Sequence, residues 1–193
     1  MRAIGYQQAG ALDRADSLVD IDLPVPAATG RDILVEVRAV SVNPIDIKMR
    51  KSSQPADGDW KVLGWDASGT VTAVGPDVTA FKPGDAVYYA GALGLSGTNA
   101  ALHLVDERIV GRKPETLDWA EAAALPLTAI TAWETLFERL DVGRPVPGAA
   151  PAILIIGGGG GVASIAIQIA RALTGLTVIA TASRQETEAW VRE

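Results

Sequence analysis

Between Asp32 and Val42 apolar and polar positions alternate, with Ile33, Val35 and Val37 set against Asp32, Glu36 and Arg38. A period of two sends successive side chains to opposite faces, so this stretch predicts a half-buried strand. Met1–Tyr6, Leu18–Leu23, Leu63–Val74, Ala86–Ala90 and Ala100–Val105 predict further strands. Pro24-Val25-Pro26, Asn43-Pro44, Gly75-Pro76 and Phe81-Lys82-Pro83-Gly84-Asp85 punctuate them. Ile45–Arg50 suits a short helical turn, Ser52–Asp59 a polar loop, Ala90–Asn99 a Gly-rich loop and Ile109–Pro114 an extended link. Many short strands between Gly/Pro turns predict a compact antiparallel β-barrel over residues 1 to about 115.

The pattern then changes. Asp118, with Glu121 three residues on, predicts a capped helix over Trp119–Ala124. Pro126 is expected to interrupt it, and Thr128–Leu140 to form a second, amphipathic helix. Arg144–Pro151 is a Pro/Gly/Ala connector. Ile153–Ile156 is apolar without alternation, as in a strand buried on both faces of a parallel sheet. Five glycines follow, Gly157–Gly161, and then a helical stretch from Val162 to Leu173 that stops near Gly175. Leu176–Thr181 is a second β-branched strand, and Gln185–Glu193 begins another helix. Strand, glycine turn, helix and strand make a βαβ unit.

That unit carries candidate chemistry. Gly158, Gly160 and Ala163 fit the dinucleotide fingerprint. Gly158 would permit the tight turn, Gly160 would let backbone approach a pyrophosphate, and Ala163 would let helix and strand pack closely. Gly161 and Val162, at the helix start, offer unpaired N–H groups and positive partial charge to the phosphates. An NAD site places Asp or Glu after the second strand; here Ser183 and Arg184 stand there. A hydroxyl and a planar guanidinium suit a 2′-phosphate, so NADP(H) is the expected cofactor. Two alternatives stay open: Glu186 as a ribose ligand, and Arg184 as a solvated residue at a helix start.

Composition narrows the classes. The 193 residues are 48% hydrophobic, enough for a core, and carry a net charge of −6, which invites neither a nucleic-acid backbone nor an anionic membrane. No cysteine is present, which removes disulfides, thiol catalysis and thiolate metal sites together. There is no membrane-span pattern, and Met1–Gly10 has no signal-peptide pattern, so the default location is the cytoplasm. His103, the single histidine, lies in the apolar stretch Ala100–Val105 and reads as a hydrogen-bonded strand residue.

Five stretches in order carry a resemblance: AVSVNPIDIKMR (39–50), LGWDASGTVTAVG (63–75), FKPGDAVYYAG (81–91), LPLTAITAWETLF (125–137) and IIGGGGGVASIAIQIA (155–170). The chain resembles the N-terminal portion of medium-chain dehydrogenase/reductases, closest to the quinone oxidoreductase and zinc-type alcohol dehydrogenase-like branch. The resemblance implies a mixed α/β fold, with a GroES-like β-barrel catalytic domain at 1–115 and the start of a Rossmann domain at 116–193. It also implies that substrate and nicotinamide meet between the two. A full dinucleotide sheet has about six strands and this stretch supplies two. A longer protein, a required partner or a non-catalytic remnant are therefore the expected alternatives, and a homo-oligomer is possible.

Where zinc-dependent relatives hold catalytic zinc by Cys, His and Cys, this chain has Asn43, Trp65 and Leu127, with only the neighbouring Asp66 of ligand type. No zinc is expected. The implied reaction is hydride transfer from NADPH to a quinone or an α,β-unsaturated carbonyl, with an alcohol dehydrogenase-type activity as a further alternative. Asn43 is the first candidate hydrogen-bond donor. Tyr88 or Tyr89 would assist, and since only one of two adjacent strand residues faces a given side, Tyr89 is preferred. Thr131 matches a family threonine near the nicotinamide, and is equally readable as a helix residue bonded to its preceding turn. Lys48 reads as solvated, and Asp46 as a support for the Asn43 turn.

Overall fold

The computed structural model describes residues 1–192, in two compact units, Met1–Pro126 and the described residues from Leu127 onward. In the first unit the strands are shared between two antiparallel sheets. β1 (Arg2–Tyr6), β2 (Val19–Asp22) and β4 (Lys61–Val62) form one, in the order β2-β1-β4. β3 (Asp32–Ser41), β5 (Asp66–Val74), β6 (Ala86–Ala90), β7 (Leu102–Asp106) and β8 (Val110–Arg112) form the other, in the order β7-β3-β5-β6-β8. An Ala3–Ala100 bridge links their edges.

Alternation builds the core of the larger sheet. Ile33, Val35, Ala67, Val71, Val87, Tyr89 and Val105 cluster on its inner face. Ile33 and Val35 keep the period of two, and Leu34 is buried on the opposite face; the β3–β5 register slips between Leu34 and Val35, where Thr72 of β5 is the extra residue. The expected strand Leu63–Val74 begins only at Asp66. Gly64 has φ +103, and a Cβ there would overlap Thr98 and Asn99, so the chain turns and the loop at 97–99 lies against it.

α1 (Pro44–Ser52) is longer than the single turn expected. Pro44 occupies its first position, where its missing N–H costs nothing. Asp46 closes the cap by accepting the Asn43 N–H at 2.8 Å, and Arg50 and Lys51 lie in the last turn, where cations suit the helix C-terminus. α2 (Trp119–Ala123) has the predicted capping box: Glu121 N–H donates to Asp118 at 2.8 Å, and Asp118 N–H donates to Glu121 at 2.9 Å. α2 packs on β3, β5 and β6, and Ser68 Oγ donates to the Trp119 carbonyl at 2.5 Å. The first compact unit therefore extends through α2 to Pro126. The helix breaks before Pro126 as expected, and α3 (Pro126–Trp133) starts at the proline itself rather than at Thr128, with a π-helical segment continuing over Glu134–Arg139.

In the second unit β9 (Ala152–Ile155) and β10 (Thr177–Ala180) pair in parallel, joined through α4 (Gly161–Leu173). α5 (Gln185–Arg192) follows. Ala166, Ile167 and Ala170 of α4 pack with Ile153, Ile155, Val178 and Ala180 on one face of the strand pair. Leu154, Ile156 and Ile179 are exposed, so burial on both faces, expected from the apolar run, is not realised within this unit.

Candidate functional site

The first unit assembles a buried polar pair at the start of α1. Asn43 ends the β3 connection, and Asp66 is the first residue of β5, paired with Ser41 of β3 on one side and Ala90 of β6 on the other. Both side chains are buried, and Asn43 Nδ2 donates to Asp66 Oδ2 at 2.8 Å. Thr98, also buried, donates its hydroxyl to the Asp66 carbonyl at 3.2 Å. Asn43 is thus held through its backbone by Asp46 and through its amide by Asp66, leaving the second Nδ2 proton for another acceptor. Lys48 is exposed, as read from the sequence.

Sequence reasoning passed over Arg50. It is buried, donates Nε to the Ser17 carbonyl at 2.7 Å and Nη1 to Gln8 and Gly10 carbonyls at 3.1 and 3.2 Å, and lies 4.5 Å over the Tyr6 ring. With the Tyr6 hydroxyl on the Met49 and Ser53 carbonyls, it anchors the end of α1. Its position four residues after Asp46 on the face buried by α1 was the available signal.

Tyr89 is a correction. Strand alternation turns Val87 and Tyr89 into the core, and the Tyr89 hydroxyl meets His103 Nδ1 at 3.1 Å. His103 Nε2 meets the Ser96 carbonyl at 2.9 Å. A carbonyl only accepts, so Nε2 carries the proton and Nδ1 accepts from Tyr89. The tyrosine proton is therefore spent inside the core, while Tyr88, on the other side, packs against Gly111. Burial pushes the Tyr89 phenol up and, only partly offset by the Ser96 bond, pushes His103 below the ordinary imidazole range.

This has a pH consequence. A depressed histidine binds its proton first in the unfolded chain, so its contribution is complete above the unfolded value of about 6.5 and declines as pH falls below it. The melting temperature is expected to fall between about pH 7.5 and about pH 5.5, and the slope to flatten in His103→Gln. Equal slopes in the two proteins would show that His103 is not the titrating group.

The second unit presents the glycine turn. The left-handed residue is Gly157, with φ +73, one position before the glycine to which the tight turn was assigned. Gly157 N–H donates to Thr181 Oγ1 at 2.9 Å and Gly158 N–H to the Thr181 carbonyl at 2.8 Å, tying the turn to the end of β10. Gly160 caps α4 in an extended conformation. The N–H groups of Gly161 and Val162 have no acceptor among the described residues, and both residues are exposed. Ala163 packs against the core of this unit, as expected of the third fingerprint position.

Ser183 and Arg184 follow β10, and both are exposed. Arg184 N–H donates to Thr187 Oγ1 at 3.2 Å, and that hydroxyl donates to the Arg184 carbonyl at 2.8 Å, so the backbone is pinned while the guanidinium faces outward. Thr131 donates its hydroxyl to the Leu127 carbonyl at 2.7 Å, the ordinary helical arrangement.

Among the described residues no three His, Cys, Asp or Glu side chains come together as metal ligands. Trp65 is buried with Tyr6 and Leu63, and its indole offers no metal-binding lone pair. The residues present do not fit a catalytic zinc. No helix of the described residues is long and apolar enough to cross a membrane.

Residues 29–115 match the alcohol dehydrogenase GroES-like domain. The zinc-type alcohol dehydrogenase-like protein of Staphylococcus aureus strain COL is 46% identical over 191 residues, covering 98% of this chain and 56% of that protein. The NADPH-dependent alkenal/one oxidoreductase of Arabidopsis thaliana chloroplasts is 34% identical over 197 residues, covering 97% and 49%. The crystal structure of a zinc-dependent alcohol dehydrogenase candidate from Rhizobium etli CFN 42 superposes with a TM-score of 0.96 at 68% identity, covering 100% of this chain and 56% of that one. The chain thus spans about half the length of the curated relatives it matches. A GroES-like first unit, a parallel strand–glycine turn–helix–strand second unit and these relatives agree: the chain belongs to the medium-chain dehydrogenase/reductase family.

Proposed function

We propose that this chain belongs to an NADPH-dependent, zinc-independent oxidoreductase that passes hydride to a quinone or an α,β-unsaturated carbonyl. The observation that carries the reading is the glycine turn, with exposed, unaccepted N–H groups at Gly161 and Val162 and its anchor at Thr181, three residues before Arg184. Those N–H groups bind the pyrophosphate at the positive end of α4. Ser183 and Arg184 take the 2′-phosphate through a hydroxyl and a bidentate guanidinium. Bound NADPH supplies the hydride. Asn43, its amide oriented by Asp66, donates its remaining proton to the substrate oxygen that gains charge. Thr131 lines the nicotinamide position. The alkenal/one relative supports both the cofactor and the substrate class.

Fluorescence titration tests the cofactor. Wild type is expected to bind NADPH at least about tenfold more tightly than NADH, and Arg184→Ala to lose that margin alone. Equal affinities in wild type would reject the assignment. Elemental analysis of protein purified without added metal is expected to find no stoichiometric zinc; tightly bound zinc would show that Asp66, Asn43 or another group forms a site after all.

A further inference from the structure

α5 lies across the glycine turn on one face. Thr187, Trp190 and Val191 share that face at the i, i+3, i+4 spacing. A Cβ on Gly158 would stand 2.7 Å from Val191 Cγ1, and one on Gly159 would stand 2.7 Å from Thr187 Cγ2. These glycines therefore serve the approach of a helix as well as that of a ligand. Trp190 Nε1 donates to Ser164 Oγ at 2.8 Å, and Ser164 Oγ donates to the Gly158 carbonyl at 3.2 Å. The Ser164 backbone N–H donates to the Gly160 carbonyl at 2.8 Å.

One serine thus holds two peptide planes of the turn. In a trans peptide the carbonyl and the following N–H point in opposite directions. Fixing the Gly158 carbonyl aims the Gly159 N–H away from Ser164, and fixing the Gly160 carbonyl does the same for Gly161 N–H. A hydroxyl has a single proton. By occupying an acceptor position on Ser164 Oγ, the Trp190 indole leaves that proton directed at Gly158.

We infer that Trp190 and Ser164 are positioning residues for the pyrophosphate, a relay through which α5 sets the aim of the turn's N–H groups without touching the dinucleotide. The inference rests on the dinucleotide-binding reading above. It separates the relay from mere support of α5, because only ligands that carry the pyrophosphate should feel it.

The test measures affinities of the full chain for NADPH and for 2′-AMP, which lacks the pyrophosphate, in wild type, Trp190→Phe, Ser164→Ala and the double variant. Trp190→Phe and Ser164→Ala are each expected to weaken NADPH about three- to tenfold. The double variant should lose no more than Ser164→Ala alone, and 2′-AMP affinity should stay at the wild-type value throughout. Unchanged NADPH affinity, additive losses, or a parallel loss of 2′-AMP overturns the relay while leaving the dinucleotide reading in place. Wild type that binds neither NADPH nor NADH overturns that reading, and the relay with it. If Trp190→Phe fails to fold, Ser164→Ala alone decides, on the same NADPH-against-2′-AMP contrast.

Discussion

Gly158→Val is expected to lower NADPH affinity by about a hundredfold or more while the first unit stays folded. The turn has no room for the side chain. A Cβ at this position meets Val191 Cγ1 at 2.7 Å, Ala180 Cβ at 3.1 Å and Ile167 Cδ1 at 3.2 Å, one neighbour each from α5, β10 and α4. Three packed elements cannot all yield, and overpacking of this kind costs about 1–3 kcal/mol before any ligand is considered. The turn would have to move outward, carrying the Gly158–Gly159 peptide and the N–H groups beyond it. A loss of about 1.4 kcal/mol in binding is a factor of ten, so misdirecting two phosphate contacts suffices for the expected effect. Gly160→Ala provides the contrast. Gly160 sits at φ −82, and its Cβ would meet only the Gly157 carbonyl, at 3.3 Å. That variant should keep wild-type thermal stability and lose affinity only through the methyl group facing the pyrophosphate. NADPH titration with thermal melts separates the two, and a Gly158→Val chain binding within threefold of wild type would remove the turn from the binding site.

Limited proteolysis of the 193-residue chain is expected to cut first between Arg144 and Arg192 and to leave the first unit largely intact, with weak turnover of quinone or enone by the chain alone. The parallel pair of β9 and β10 is covered by α4 on one face, while Leu154 is 59% exposed, Ile156 78% and Ile179 51%. Fully burying such a side chain contributes about 1.5–3 kcal/mol. Three large aliphatics left about half or more in water forgo several kcal/mol of a domain stability of about 5–15 kcal/mol. A unit this marginal opens locally, and hydride transfer depends on a cofactor held in one orientation. NADPH should slow the cleavage by binding only the folded turn. A protease-resistant monomer that reduces a quinone at an ordinary enzymatic rate would refute the expectation.

Short-range signals in the sequence determined the elements. Alternation located β3, the turn and the Gly-rich loop on either side bounded β6 and led to β7, Asp118 and Glu121 announced the cap of α2, and the apolar run before five glycines announced β9, the turn and α4. Each is a relation between residues a few positions apart, set by backbone geometry and local hydrogen bonding, and so is visible without a fold. The partners of the site are relations across the chain. Asn43 meets Asp66 at a separation of 23 residues, Arg50 meets the Ser17 carbonyl at 33, and Trp190 meets Ser164 at 26. Alternation showed that Tyr88 and Tyr89 face opposite sides, but only the sheet, with β3 and β5 between β6 and β7 and with Tyr89 turned toward His103 across the core, decided which side was interior. Five consecutive glycines are likewise indistinguishable in sequence. The strand that delivers the chain and the helix that crosses over it chose Gly157 for the left-handed turn and made Gly158 and Gly159 obligatory, because a backbone conformation and an excluded volume belong to a packed place, and a residue type only permits them.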